Sequence, residues 1–133
     1  MEKRLQSKLF RKYPAIFKLV KNKKEPIGQW GIECGTGWFW LIDNLCHLIQ
    51  RHINNNRHLK TSQMEVTQIK NKFGELRFYN TGNDKSIERY INIFSYLSRN
   101  ICEQCGSTQD VAQNKHGWIL TLCKDCRKKV IKI

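Results

Sequence analysis

Four cysteines near the C-terminal end are the residues best placed to do chemistry. Cys102 and Cys105 form one C-x-x-C pair and Cys123 and Cys126 a second, with seventeen residues between the pairs. A C-x-x-C turn aims two sulfurs at one point, and two such turns complete the tetrahedron of a closed structural zinc site. The first pair runs into Gly106, whose tolerance of positive φ lets the backbone curl back beneath a metal. The second runs into Arg127, Lys128 and Lys129 and can open a short helix. The cofactor expected is therefore one structural Zn2+ on Cys102, Cys105, Cys123 and Cys126. His116, in the interval, is a weak substitute where four thiolates are available.

Two elements must hold these turns together. Ile87, Tyr90, Ile91, Phe94, Leu97 and Ser98 form a helical stripe that runs to Ile101 and delivers the chain directly to Cys102. Thr81-Gly82-Asn83-Asp84 ahead of it reads as a turn ending in a helix cap, and the stripe is expected to bury against a hairpin. Between the cysteine pairs, 109–113 and 117–122 form a second small hairpin around Asn114-Lys115-His116-Gly117, a zinc ribbon. Trp118, Ile119, Leu120 and Leu122 give that ribbon an apolar face for the main domain.

The first hairpin lies upstream. The stretches 64–70 and 75–79 read as strands around a four-residue turn, Asn71-Lys72-Phe73-Gly74. If Lys70, Lys72, Arg77 and Tyr79 share its open side, charge and an aromatic ring are offered together, which suits nucleic acid and equally suits an ordinary solvated face. Before it, Leu41, Ile42, Leu45, Leu48, Ile49 and Ile53 mark a central core helix, with Asp43, Asn44, Gln50 and Arg51 on its polar side. Trp38 and Trp40 at its start are read as core, Cys46 as a buried small hydrophobe, and His47 and His52 as polar surface. The glycine-rich stretch from Glu25-Pro26 to Gly37 reads as turn and loop with at most a short strand, and it has no nucleotide-binding register.

Charge is unevenly spread. Residues 1–26 carry nine Lys or Arg against two Glu, more than half of the chain's formal +13. They read as two short helical pieces hinged at Pro14, either a phosphate-contacting arm or, more simply, the wet face of an amphipathic helix. Four thiolates on a divalent zinc carry a net −2, so the loaded protein stands nearer +11 than +13. Such an excess favours polyanions or an acidic protein surface.

The 133 residues suffice for one core and not two, and 40% of them are apolar or aromatic, which argues against wholesale disorder. No apolar run is long enough to cross a bilayer, no signal pattern opens the chain, and the cysteines do not read as a disulfide framework. A soluble protein of the cytoplasm is expected, with no membrane partner. The fold class predicted is α+β: a small antiparallel hairpin or sheet with two to three helices and a C-terminal four-cysteine ribbon. Segments 1–26, 27–101 and 102–133 are read as basic helical segment, core and ribbon of one compact domain.

Several segments, in this order, resemble a family of small, uncharacterised proteins encoded by phages and prophages. The resemblance rests on Lys12-Tyr13-Pro14-Ala15-Ile16-Phe17, on Gly31-Ile32-Glu33-Cys34-Gly35-Thr36-Gly37-Trp38-Phe39 leading into Leu41-Ile42-Asp43-Asn44-Leu45-Cys46, and on Ile69 to Tyr79. It closes on Cys102-Glu103-Gln104-Cys105-Gly106 and Trp118-Ile119-Leu120-Thr121-Leu122-Cys123, and so spans nearly the whole chain. The hairpin motif in that family often has an acid where this chain has Asn71, a departure expected to make the hairpin face more basic. The resemblance implies an accessory protein of mobile-element origin in a bacterial host cytoplasm and assigns no catalytic residue.

Three functions follow as expectations. The first is a non-catalytic, zinc-stabilised module that docks on nucleic acid or a nucleic-acid-handling complex through Lys70, Lys72, Arg77 and Tyr79 and through Lys124, Arg127, Lys128, Lys129 and Lys132. The second is a phage-borne inhibitor or adaptor of a host protein, such as a defence or transcription component. The third, an HNH-like nuclease, finds His116 but no Asp-His start and no room for a ββα element between the pairs. A closed four-cysteine site would also leave zinc no position for water.

Overall fold

The computed structural model describes residues 1–131 and is α+β, with five α-helices and two small sheets. Lys132 of the basic tail lies outside the described residues. Helix α1 (Lys3–Lys12) turns Leu9 fully inward and its lysines and arginines outward. The chain breaks at Tyr13-Pro14, yet Tyr13, Ile16 and Phe17 continue into the same core as Leu9. The basic segment is thus the wet face of a packed helix and not a detached arm.

Helix α2 (Pro26–Trp30) occupies the stretch read as loop. Pro26 stands at its start, where a missing N–H costs nothing and the fixed φ is already helical. Strand β1 (Ile32–Glu33) follows and pairs in parallel with β2 (Val66–Lys72), which pairs antiparallel with β3 (Glu75–Asn80). The sheet is therefore mixed, its third strand coming from the glycine-rich region, and its order is β1-β2-β3.

The β2–β3 turn is two residues, not four. Phe73 and Gly74 both have positive φ, 56° and 82°, the geometry of a type I′ turn, so the strands run on to Lys72 and restart at Glu75. A register shift between Val66 and Gln68 breaks the alternation of β2. Beyond it, Ile69↔Phe78 and Asn71↔Leu76 point to the core while Gln68↔Tyr79, Lys70↔Arg77 and Lys72↔Glu75 point away.

Helix α3 (Phe39–Asn55) is the centre of the core, burying Leu41, Ile42, Leu45, Cys46, Ile49 and Ile53. Trp38 is fully buried and donates its indole N–H to the Ile101 carbonyl at 2.8 Å, whereas Trp40, also read as core, is 69% exposed. Asp43 is a second correction, because it is buried on what reads as the polar side. Lys12 Nζ lies 2.9 Å from its Oδ1, and the Tyr13 hydroxyl donates to the same oxygen at 2.6 Å. Burial, and then the Asp43 carboxylate, hold that hydroxyl protonated well above the ordinary phenol range.

Helix α4 (Lys85–Ser98) begins at Asp84, whose side chain accepts the Ile87 amide at 3.0 Å. It packs on both α3 and β3. Its stripe is only half buried: Leu97 is exposed, while Ser98 is buried and takes the Leu76 amide at 2.9 Å. His52, read as surface, is half-buried and lies 3.2 Å from Asp84. No helix among the described residues is long and apolar enough to cross a membrane.

Candidate metal centre

Cys102 follows α4 after one short turn. Its carbonyl accepts the Gly106 amide and its amide donates to the Ser107 carbonyl, both at 2.8 Å, which closes the first knuckle. The second pair sits where β5 (Thr121–Cys123) meets α5 (Lys124–Ile131), so Cys126 falls in the first turn of a helix. Strand β4 (Val111–Gln113) pairs antiparallel with β5. The ribbon strands are shorter than the sequence indicates because the Asn114 side chain organises the intervening loop. It donates to the carbonyls of His116 and Trp118, at 2.8 and 2.9 Å, and accepts the Leu120 amide at 2.7 Å. Of the residues expected on the packed face, Leu122 is buried but Trp118 is 74% exposed.

The four sulfurs lie within 4.8 Å of one another, and Cys105 Sγ is 3.7 Å from Cys123 Sγ. Four sulfurs about 2.3 Å from a common tetrahedral ion would stand about 3.8 Å apart, so the arrangement fits a metal without rebuilding. Cys102, Cys123 and Cys126 are buried and Cys105 is exposed. Burial pushes the Cys102 thiol up, but amides of Cys123, Cys105 and Gln104 aimed at its sulfur more than offset this and bring it down to about 7. Burial and then the neighbouring thiols push Cys126 up to about 12, and a bound cation would instead favour its thiolate. His116 is not in this group, and among the described residues no other cluster of three or more His, Cys, Asp or Glu has this form. Cys34 and Cys46 are buried apart from it, their thiols held protonated chiefly by burial.

Glu103, between the first two cysteines, is buried and joins the knuckle to the core. Its amide donates to the Thr121 carbonyl at 2.9 Å, and its own carbonyl accepts the Gly37 amide at 2.7 Å. One carboxylate oxygen accepts the Gly35 amide at 3.0 Å and the other the Asn71 carboxamide. Burial raises this carboxyl, and the Gly35 and Asn71 donors act against it. A Cβ on Gly37 would lie 2.1 Å from the Cys102 carbonyl oxygen, so the glycine-rich loop carries no side chain where the knuckle docks. Nothing in the spacing of the cysteines points to Glu103. The available signal is Asn71, a polar side chain at an inward register position. Asn71 is buried and so adds nothing to the charge of the open face. As a neutral amide it gives Glu103 a donor.

Lys70, Lys72, Arg77 and Tyr79 do share the open face of the β2–β3 hairpin, together with Glu75. Arg77 is engaged with Glu75, which also lies 3.5 Å from Arg99. Of the α5 cations, Arg127 donates to the carbonyls of Asp110 and Leu122, at 3.0 and 2.8 Å, and so ties α5 to the ribbon. Lys124, Lys128 and Lys129 are exposed. Comparison with protein-family models, with curated proteins and with solved structures finds no match to this chain.

Proposed function

We propose that the chain is a zinc-stabilised, non-catalytic accessory protein of phage or other mobile-element type. It acts in the bacterial host cytoplasm and docks a basic surface on nucleic acid or on a nucleic-acid-handling complex. Zinc is the ion that suits four thiolates in a tetrahedron, and its role is to add binding energy to folding. The observation that carries the reading is uncompensated charge. Among the described residues only Lys12, Lys18, Arg77 and Arg99, of all the lysines and arginines, lie within 4 Å of a carboxylate. Lys70, Lys72, Lys124, Lys128 and Lys129 are left to attract phosphate.

A salt titration with duplex and single-stranded oligonucleotides tests this. The logarithm of affinity should fall linearly with the logarithm of salt concentration, and absence of binding at about 50 mM salt would remove the reading. A closed four-sulfur site supports a non-catalytic role. Metal-dependent plasmid cleavage that disappears in His116→Ala would overturn that part.

A second reading, an inhibitor or adaptor that docks on a host protein, is favoured by exposed Ile93, Tyr96 and Leu97 on α4. Binding that tolerates salt and needs α4 would select it.

A further inference from the structure

Phe73 is out of place by the rules of the fold. It occupies the first position of a type I′ turn, where positive φ favours Asn, Asp or Gly, and its ring is 75% exposed. Asparagine would make the turn at lower cost, and the ring adds nothing to the core. Trp118, on the ribbon loop, is 74% exposed. Both rings line one open cleft of about 190 Å3, floored by Asn71 and Ile119 and rimmed by Lys70 and Lys72. Among the described residues no carboxylate lines it.

The backbones that carry the two rings are fixed. Asn71 Oδ1 holds the Gly74 amide at 2.8 Å, Thr121 donates to the Gly74 carbonyl, and Asn114 holds the Trp118 carbonyl at 2.9 Å. A Cβ on Gly74 would lie 3.0 Å from both Ile119 and Thr121, so the hairpin tip is pressed against the ribbon. The rings are thus presented from a rigid frame, which lowers the cost of ordering them on a ligand.

We propose that this cleft takes an unpaired base of single-stranded nucleic acid, stacked on Phe73 or Trp118, with Lys70 and Lys72 on the flanking phosphates. The inference rests on the nucleic-acid reading and adds the class of strand and the seat of recognition. An apolar cavity of about 150 Å3 accommodates a benzene ring, so the cleft has room for a base. Paired and stacked bases keep their faces covered, so a duplex cannot fill it, whereas a single strand offers each base in turn.

Fluorescence anisotropy of the zinc-loaded full chain with labelled oligothymidylate, oligouridylate and a duplex of equal length tests the proposal. Phe73→Asn suits the turn, and Trp118→Ala changes an exposed side chain, so both should melt as the parent does. Single strands should bind the parent more tightly than the duplex. At least one variant, that of the ring on which the base stacks, should lose roughly 5- to 150-fold in single-strand affinity with duplex affinity unchanged. A preference confined to thymidylate or to uridylate would identify the strand as DNA or RNA. Full single-strand affinity in both variants, or a parent that prefers duplex, would overturn the cleft and leave the nucleic-acid reading standing. No binding to any of the three probes would remove both and favour a protein partner.

Discussion

The Asn71 carboxamide donates to the Glu103 carboxylate while its oxygen accepts the Gly74 amide, so one buried side chain ties the hairpin turn to the metal knuckle. Its nitrogen also reaches the Ile119 carbonyl, 3.2 Å away in the ribbon loop. Gly35 and Gly37 engage Glu103 from the other side. Three segments far apart in sequence therefore converge on the residue between two cysteines.

Asn71→Asp should break this arrangement electrostatically. The variant keeps the acceptor for Gly74 but loses both donors and sets a second carboxylate against Glu103, at a cost of about 1–3 kcal/mol near neutral pH. Burial already raises the Glu103 carboxyl, and a neighbouring acid raises it further. Between its unfolded value and the raised folded one the folded state binds the extra proton, so stability falls as pH rises through that window. Urea titrations of parent and variant should thus show a deficit that is largest at neutral pH and shrinks as pH is lowered.

Gly37→Ala should loosen the knuckle from the core. The added Cβ would meet the Cys102 carbonyl at 2.1 Å, and neither backbone can yield without losing the Gly37 to Glu103 hydrogen bond. A loss of about 1–3 kcal/mol by chemical denaturation is expected.

Asp84→Ala should cost about 1 kcal/mol, because it uncaps α4, and Asp84→Ser should restore most of that. The Ile87 amide and then His52 hold the Asp84 carboxyl below its ordinary value. The stability contributed by that carboxylate is complete above the unfolded value of about 3.9 and is lost as pH falls through the lower folded one. A melting series across acid pH, parent against Asp84→Asn, should show the two converge only at its acid end.

Charge reversal should separate binding from folding on the open face of the hairpin. Lys70→Glu, which faces Arg77, should weaken oligonucleotide binding and its salt dependence while leaving the melting midpoint nearly unchanged, whereas Lys72→Glu also sets a like charge opposite Glu75 and should lower the midpoint slightly. Arg77→Glu should lower stability slightly, by up to about 1 kcal/mol, and the midpoint with it, because Glu75 then faces a like charge. Anisotropy and melting on the same samples distinguish these outcomes.

Features set by local pattern were legible in the sequence. Spacing identified the four cysteines, a long apolar stripe identified α3, and Asp84 declared the start of α4. Features set by distant partners were not. Asp43 reads as a solvent-facing residue until Tyr13 and Lys12 are placed beside it. Glu103 reads as a spacer between ligands until Gly35, Gly37 and Asn71 close around it. Trp38 and Trp40 differ by two positions and have opposite fates, because the backbone turns from a short 3-10 segment into α3 between them. The ribbon strands are shorter than the sequence indicates because the Asn114 side chain, and not a strand ladder, organises the loop between them.

The central claim is that the metal site fastens the ribbon to the core through Glu103 and Asn71. Amide hydrogen exchange at Gly35, Gly37 and Gly74, in zinc-loaded protein and after chelation or in Cys105→Ser, tests it most directly. Their N–H groups bond to Glu103 or Asn71 and lie outside the four ligands themselves. Loss of protection at all three on metal removal, with the α3 amides still protected, is the result predicted. Unchanged protection at Gly35, Gly37 and Gly74 without metal would contradict it.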